Sequence, residues 1–248
     1  RCEKHWLERR AQPLSCTVHM DLEHLISIGL VDYHVEGMGG ESQGCERVNA
    51  RSLPSRFINF YSASNDLDDL FPPGAQTSLT SNSRWRKYLS NFEELPVPLQ
   101  FQGRRYTTVE HGYQAAKFLS CHAVPQAKAR AFAARFEVDG DLGNKKGMRA
   151  KKESKKSGCA FDGEAFEDER DEVMWALLQA RWEVDEGFRE ILDETLHQGV
   201  YLGHFEQNPE ASYWGGHVNE DGSVKNGRNR LGEMLMELRD PERRDQDF

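Results

Sequence analysis

Between Thr107 and Phe118 the chain reads Thr-Thr-Val-Glu-His-Gly-Tyr-Gln-Ala-Ala-Lys-Phe, which sets a carboxylate, an imidazole, an amide and an amine along one short segment. Glu110, Tyr113, Gln114 and Lys117 recur at helical spacing and share a face, while Val109, Ala116 and Phe118 turn towards a core. A carboxylate there can stabilise developing positive charge or take a proton from water. A lysine withdrawn from water holds its proton less tightly and becomes a nucleophile able to form a Schiff base. His111 reads as a structural hydrogen-bonding partner rather than an acid. The same pattern also describes a surface Glu–Lys helix over core aromatics, and the segment alone does not decide between the two.

Several elements must hold this helix in place. Thr107 and Thr108 precede the apolar periodicity as cap candidates, and Glu110 in the first turn suits the positive end of the helix dipole. Upstream, residues 97–101 and 105–109 read as a hairpin around Gln102-Gly103-Arg104, its second strand feeding the helix. Residues 57–61 form a first core strand, followed by the turn-forming cluster 62–66. Residues 66–87, rich in Asp, Pro, Gly, Ser and Asn, mark a long insertion before order returns at Tyr88. Downstream, a helical region runs on through Pro125 to Phe136 with Ala127, Ala131, Phe132 and Ala134 as its apolar stripe. Further helices are expected over 164–182, 188–196 and 231–239, with a strand over 200–205 and a Gly/Asn-rich loop from Gly215 through Asn229. A short helix is also expected between Cys16 and Tyr33.

The formal net charge of −9 argues against a surface that attracts polyanions everywhere, yet residues 145–156 hold seven basic residues and one acid. Such a run reads as a solvated loop, or as a phosphate contact through Lys145, Lys146, Arg149, Lys151 and Lys152. The 13 Phe, 7 Tyr and 5 Trp can fill one sizeable core. Five scattered cysteines without a CxxC pair fit reduced thiols, and nine scattered histidines without an HxxxH pair predict no metal site. No apolar run approaches the ~18 residues of a membrane span, and the start lacks the apolar core of a signal peptide. An intracellular protein, cytoplasmic or nuclear and without a membrane partner, is expected.

The ordered series Ile58-Asn59-Phe60-Tyr61-Ser62, Leu89-Ser90-Asn91-Phe92, Thr108 to Phe118, Tyr213-Trp214-Gly215 and Asn226 to Arg239 resembles the NADAR (YbiA-like) family of N-glycosidases. The resemblance spans about residues 57–239. It implies an α+β fold: a single, mainly helical domain with a small β-sheet or hairpin, preceded by an extension (1–56) of unknown role and followed by a disordered tail (240–248). It also implies recognition of an ADP-ribose or ribosyl-phosphate moiety and hydrolysis of a ribose–nitrogen bond, without metal or cofactor. Family substrates are ADP-ribosylated guanine in nucleic acid and early nucleotide intermediates of riboflavin synthesis. The insertion at 66–87 favours the guanine branch, in single-stranded DNA or RNA; a riboflavin-pathway hydrolase and a catalytically idle ADP-ribose-binding module are the alternatives.

The resemblance assigns chemistry to Glu110 and Lys117. Glu110 would face the anomeric carbon, and Lys117 would exchange into an opened ribose imine. Asn59, Tyr61, Ser62, Asn91, Phe92, Tyr113, Gln114, Phe166, Glu206, Trp214, Gly215, Asn229 and Arg230 are the candidate binding residues. Asn229 and Arg230 would offer donors at a helix N-terminus. Two positions depart from the family pattern: Phe166 stands where tryptophan is usual, and Ala211 stands where aspartate is usual, with Glu210 and Ser212 as possible substitutes.

Overall fold

A computed structural model describes residues 56–64, 84–120, 125–155, 163–206, 212–219 and 223–240. The expected helix between Cys16 and Tyr33, most of the 66–87 insertion and the tail beyond Asp240 lie outside these residues. Among the described residues there are seven helices and six short strands, an α+β arrangement that is mainly helical. The helices are α1 (Trp85–Tyr88), α2 (Val109–Leu119), α3 (Gln126–Ala134), α4 (Gly147–Ser154), α5 (Gly163–Val184), α6 (Glu186–His197) and α7 (Arg230–Arg239). The strands are β1 (Arg56–Phe60), β2 (Leu99–Phe101), β3 (Arg104–Tyr106), β4 (Val200–His204), β5 (Gly216–Val218) and β6 (Val224–Gly227).

The strands form three pairs. β1 and β4 run parallel, with Ile58 opposite Leu202, although some 140 residues separate them in sequence. β2 and β3 form a hairpin, and β5 and β6 another with a bulge at His217/Val218. The first hairpin turns on two residues rather than three. Gln102 and Gly103 both take positive φ (49° and 73°), as a two-residue turn matching strand twist requires, so Arg104 already pairs with Phe101.

α2 lies within the core. Thr108, in extended conformation, caps it by accepting a hydrogen bond from the His111 amide, and Val109, Ala115, Ala116 and Phe118 pack inward. Gly112 allows α5 to cross it closely, since a Cβ there would stand 2.4 Å from Leu177 Cδ2. α3, α4 and α5 all contact α2.

Three further expectations need correction. The stripe of α3 is Ala129 and Ala133, with Phe136 just beyond, whereas Ala127 and Ala131 are exposed. Alanine lies on both faces of this helix, so composition did not reveal its register. Residues 84–87, assigned to the insertion, begin the core: Trp85 and Arg86 of α1 are buried, and Arg86 Nη1 donates to the Asn59 carbonyl (3.1 Å). Residues 147–154 are a helix, α4, rather than a loop. Gly147, Ala150 and Ser154 form its buried face, a pattern of small residues hidden among lysines.

Candidate active site

The N-terminal end of α2 meets three other segments. The Glu110 amide donates to the Asn91 carbonyl (3.0 Å), which joins the turn before β2 to the first turn of the helix. Asn91 Nδ2 reaches Met174 Sδ (3.4 Å), while Asn91 Oδ1 is buried with no partner among the described residues. α4 closes down tightly on the same end of the helix. A Cβ at Gly147 would lie 3.2 Å from both Phe92 Cδ1 and Thr108 Oγ1, and 3.5 Å from Glu110 Cβ.

Glu110 is 5% exposed, which overturns the reading of α2 as a surface helix. Gln114 Nε2 donates to Glu110 Oε1 (2.6 Å), and Lys151 Nζ stands 3.9 Å from the same oxygen. Because a carboxylate only accepts, Gln114 must point its nitrogen at Glu110 and its oxygen at Ser154, whose hydroxyl lies 3.1 Å away. That hydroxyl is also 2.7 Å from the Lys151 carbonyl, so one proton serves two acceptors.

Lys117 is half-buried, with its amine 4.7 Å above the Tyr113 ring centroid. Burial lowers its pKa from the usual lysine range; Lys151 and Lys155 push in the same direction and Glu110 opposes. Beyond it stands an aromatic wall. Tyr113 packs edge-on against Phe166 (5.3 Å) and Trp214 (5.5 Å), and Trp214 against Tyr213 (5.1 Å). Phe166 is buried and supports Tyr113 from behind. The half-buried Trp214 and the Tyr113 phenol, raised above its usual pKa by burial, are held at the site.

His111 is structural. Its Nε2 lies 3.0 Å from the Leu142 carbonyl, which can only accept, so Nε2 carries the proton. Nδ1 then accepts from Thr108 (2.8 Å), since the Thr107 hydroxyl is directed to the Gly143 carbonyl (2.9 Å). Burial lowers the imidazole's pKa and favours this neutral form.

The carboxyl ends of β1 and β4 supply a second group. Tyr61 packs on Phe205 (5.1 Å), which stacks with His217 (5.9 Å). Ser62 is half-buried in the turn after β1, Asn59 has an exposed side chain, and Phe92 is half-buried. Tyr61 and Ser64 exchange backbone and hydroxyl hydrogen bonds that fix this turn. The imidazole of His204 lies 3.3 Å from the Trp214 carbonyl. Its pKa is lowered to about 4 by burial, with Glu206 and that carbonyl opposing and Lys151 reinforcing. Glu206 lies against Gly215, where a Cβ would fall 2.7 Å from Glu206 Cγ.

The last helix is arranged differently from the expectation. The amides of Asn229, Arg230 and Leu231 donate to the carbonyls of Gly215, Tyr213 and Trp214, so the turn 213–215 caps α7 and occupies the donors expected to meet a phosphate. The Gly215 amide donates to Ser212 Oγ (2.8 Å); Ser212 thus fixes this turn, while Ala211 lies outside the described residues. Asn229 is fully buried with φ 50°, and its side chain joins the His204 amide (2.7 Å) to the Leu202 carbonyl (3.0 Å). Arg230 is engaged by Asp171 (2.9 Å), Glu237 (2.7 Å) and Glu233 (3.4 Å). Both residues act within the fold and hold Trp214 and His204 in register.

Residues 75–241, about two thirds of the chain, match the NADAR domain. The chain belongs to the NADAR family. Among curated relatives, the N-glycosidase YbiA of Escherichia coli (strain K12) is 29% identical over 191 residues, covering 76% of this chain and 89% of that protein. The N-glycosidase YbiA of Shigella boydii serotype 4 (strain Sb227) is 28% identical over the same length and shares. The NMR structure of the E. coli protein YbiA aligns with a TM-score of 0.46 at 24% identity, covering 77% of this chain and 87% of that one. Against this NADAR background, Ser154 and His204 are the neighbours of the site that sequence reasoning missed. Lys151 was visible only as one cation in a run, although the small residues at 147, 150 and 154 marked the helix face beside it. Among the described residues no three His, Cys, Asp or Glu converge as metal ligands, and no helix is long and apolar enough to cross a membrane.

Proposed function

We propose that this NADAR protein is an N-glycosidase that removes ADP-ribose from guanine in single-stranded nucleic acid, consuming water and restoring the base. The observation that carries the reading is the α2 face itself. It holds a buried carboxylate (Glu110) and a lysine that burial biases towards its neutral amine (Lys117), bordered by Tyr113 and Trp214. Breaking a ribose–nitrogen bond builds positive charge at the anomeric carbon, which Glu110 stabilises. Where the ribose is joined through an exocyclic amine, the opened sugar is an imine. Lys117 attacks its carbon, the guanine amine leaves with a proton, and water hydrolyses the lysine imine to free ADP-ribose. Tyr113, Trp214 and Phe92 offer faces for a base. The exposed cations Lys146, Arg149 and Lys152 of the α4 region, with the half-buried Lys145, offer a path for flanking phosphates.

The test is product analysis after incubation with an oligonucleotide carrying ADP-ribosylated guanine, beside a pyrimidine nucleotide of the riboflavin-pathway type. Released ADP-ribose with restored guanine, and borohydride trapping of substrate on Lys117, is the expected result. Turnover of the nucleotide alone, or tight binding of ADP-ribose with no release from either substrate, overturns it.

A further inference from the structure

The basic residues between 145 and 155 are not equivalent once α4 has formed. Lys146, Arg149, Lys152 and Lys155 are exposed, whereas Lys145 and Lys151 are half-buried, and Lys151 lies on α4 next to the buried Ala150. Its ammonium lies 3.9 Å from Glu110 Oε1 and 5.4 Å from the centre of the Phe92 ring. It also acts electrostatically on Lys117 and on His204, so the effects of α2, α4 and the end of β4 converge on this one side chain. The same helix supplies Ser154, which orients Gln114 towards Glu110. α4 is seated by Gly147 against Phe92, Thr108 and Glu110, where no larger residue fits without displacement.

We propose that Lys151 is a positioning residue of this site: from α4 it draws the Glu110 carboxylate towards itself and so away from Lys117, which lies further along the same face of α2. The inference rests on the N-glycosidase reading above and adds a residue to it. Among the described residues, the groups acting on Lys117 include Glu110 and Tyr113 on its own helix, Lys151 on α4 and Lys155 at the end of α4. α5 meets this face through the uncharged Phe166 and brings Glu169 to Ser120, one turn further on (2.6 Å). α3 meets α2 through Phe132 on Phe118. At 3.9 Å, and with 40% of the Lys151 side chain open to screening solvent, the pair contributes little to folding, so the effect belongs in the chemistry rather than in the melting temperature.

Two readouts on the full chain test this, using Lys151→Met, Lys151→Arg and, as an outward-facing control, Lys152→Met. The first needs no substrate: the rate of Lys117 acetylation by acetic anhydride, followed by peptide mass spectrometry across pH. Lys151→Met raises the midpoint for Lys117 by about half a pH unit or more, Lys151→Arg restores it, and Lys152→Met leaves it in place. The second is turnover of ADP-ribosylated guanine oligonucleotide, where Lys151→Met lowers kcat about tenfold or more with KM within about threefold. An unmoved Lys117 midpoint in Lys151→Met overturns the proposal. So does a raised KM with unchanged kcat, which assigns Lys151 to the phosphate path instead. If the wild-type chain releases nothing from the oligonucleotide, the N-glycosidase reading fails, and the acetylation profile still decides the role of Lys151.

Discussion

Glu110 owes its setting to three groups: the Asn91 carbonyl at its amide, and Gln114 of its own helix and Lys151 of α4 at its carboxylate. Glutamine fills the same volume but, in the reaction proposed above, cannot balance positive charge on the ribose. Glu110→Gln is expected to keep its thermal midpoint within about 5 °C of wild type while kcat falls by about 10²–10⁴. Single-turnover release of ADP-ribose measures this, and a rate within about threefold of wild type would remove Glu110 from the chemistry. The pairing of Glu110 with Lys117 on one face was legible in the sequence because helical spacing is a local property. The burial of both was not, because it depends on α4 and α5 closing over α2.

At the scale of elements, the junction between β4, the 213–215 turn and α7 holds the Trp214 side of the site. Asn229 sits at its centre in a left-handed conformation that Asn tolerates better than most residues. Asn229→Ala leaves the His204 amide and the Leu202 carbonyl buried without their partner, and is expected to cost about 2–4 kcal/mol in urea unfolding. Asn229→Gly relieves the backbone strain but not the lost hydrogen bonds, so it should fall between the two. A cost below about 0.5 kcal/mol for the alanine variant would refute a structural role. The sequence pointed to this position through its motif but suggested ligand contact. An asparagine before a helix looks the same whether its donors face a phosphate or a neighbouring strand, and the placement of β4 decides which.

For the molecule as a whole, the segment leading to Asn91 is anchored by a buried ion pair at the α5–α6 junction. Arg181 donates to Asp185 (3.0 Å) and to the carbonyls of Ser90 (3.1 Å) and Tyr88 (2.7 Å), and the Tyr88 hydroxyl returns to Asp185 (2.7 Å). Arg181→Met strands a buried carboxylate and should destabilise by about 3–5 kcal/mol in chemical denaturation, whereas an exposed pair such as Arg135–Asp141 would cost under about 1 kcal/mol. Acid should weaken the fold through the histidines. His204 is held at about 4, below its ordinary 6.5, so the unfolded chain takes up that proton first as pH falls. Its contribution is complete above pH 6.5, declines through the window down to about 4, and is worth about 1–2 kcal/mol after allowance for its partial exposure. His111 acts in the same direction. Urea midpoints should fall between pH 7 and pH 4.5, and His204→Asn should flatten part of that slope.

Local pattern by itself determined the capped helix at Thr108, the hairpin before it, the long helices of the second half and the motif series that marks the family, because each depends on neighbours within a few residues or on residue order alone. Tertiary structure decided the rest: the parallel pairing of β1 with β4, the capping of α7 by the 213–215 turn, and the conversion of a lysine-rich run into a helix that brings Lys151 to Glu110 and Ser154 to Gln114. These arise between segments distant in the chain, where burial and the satisfaction of polar groups are settled only when the segments meet. The same charges read as a solvated run in sequence become, through the small residues between them, one wall of the site.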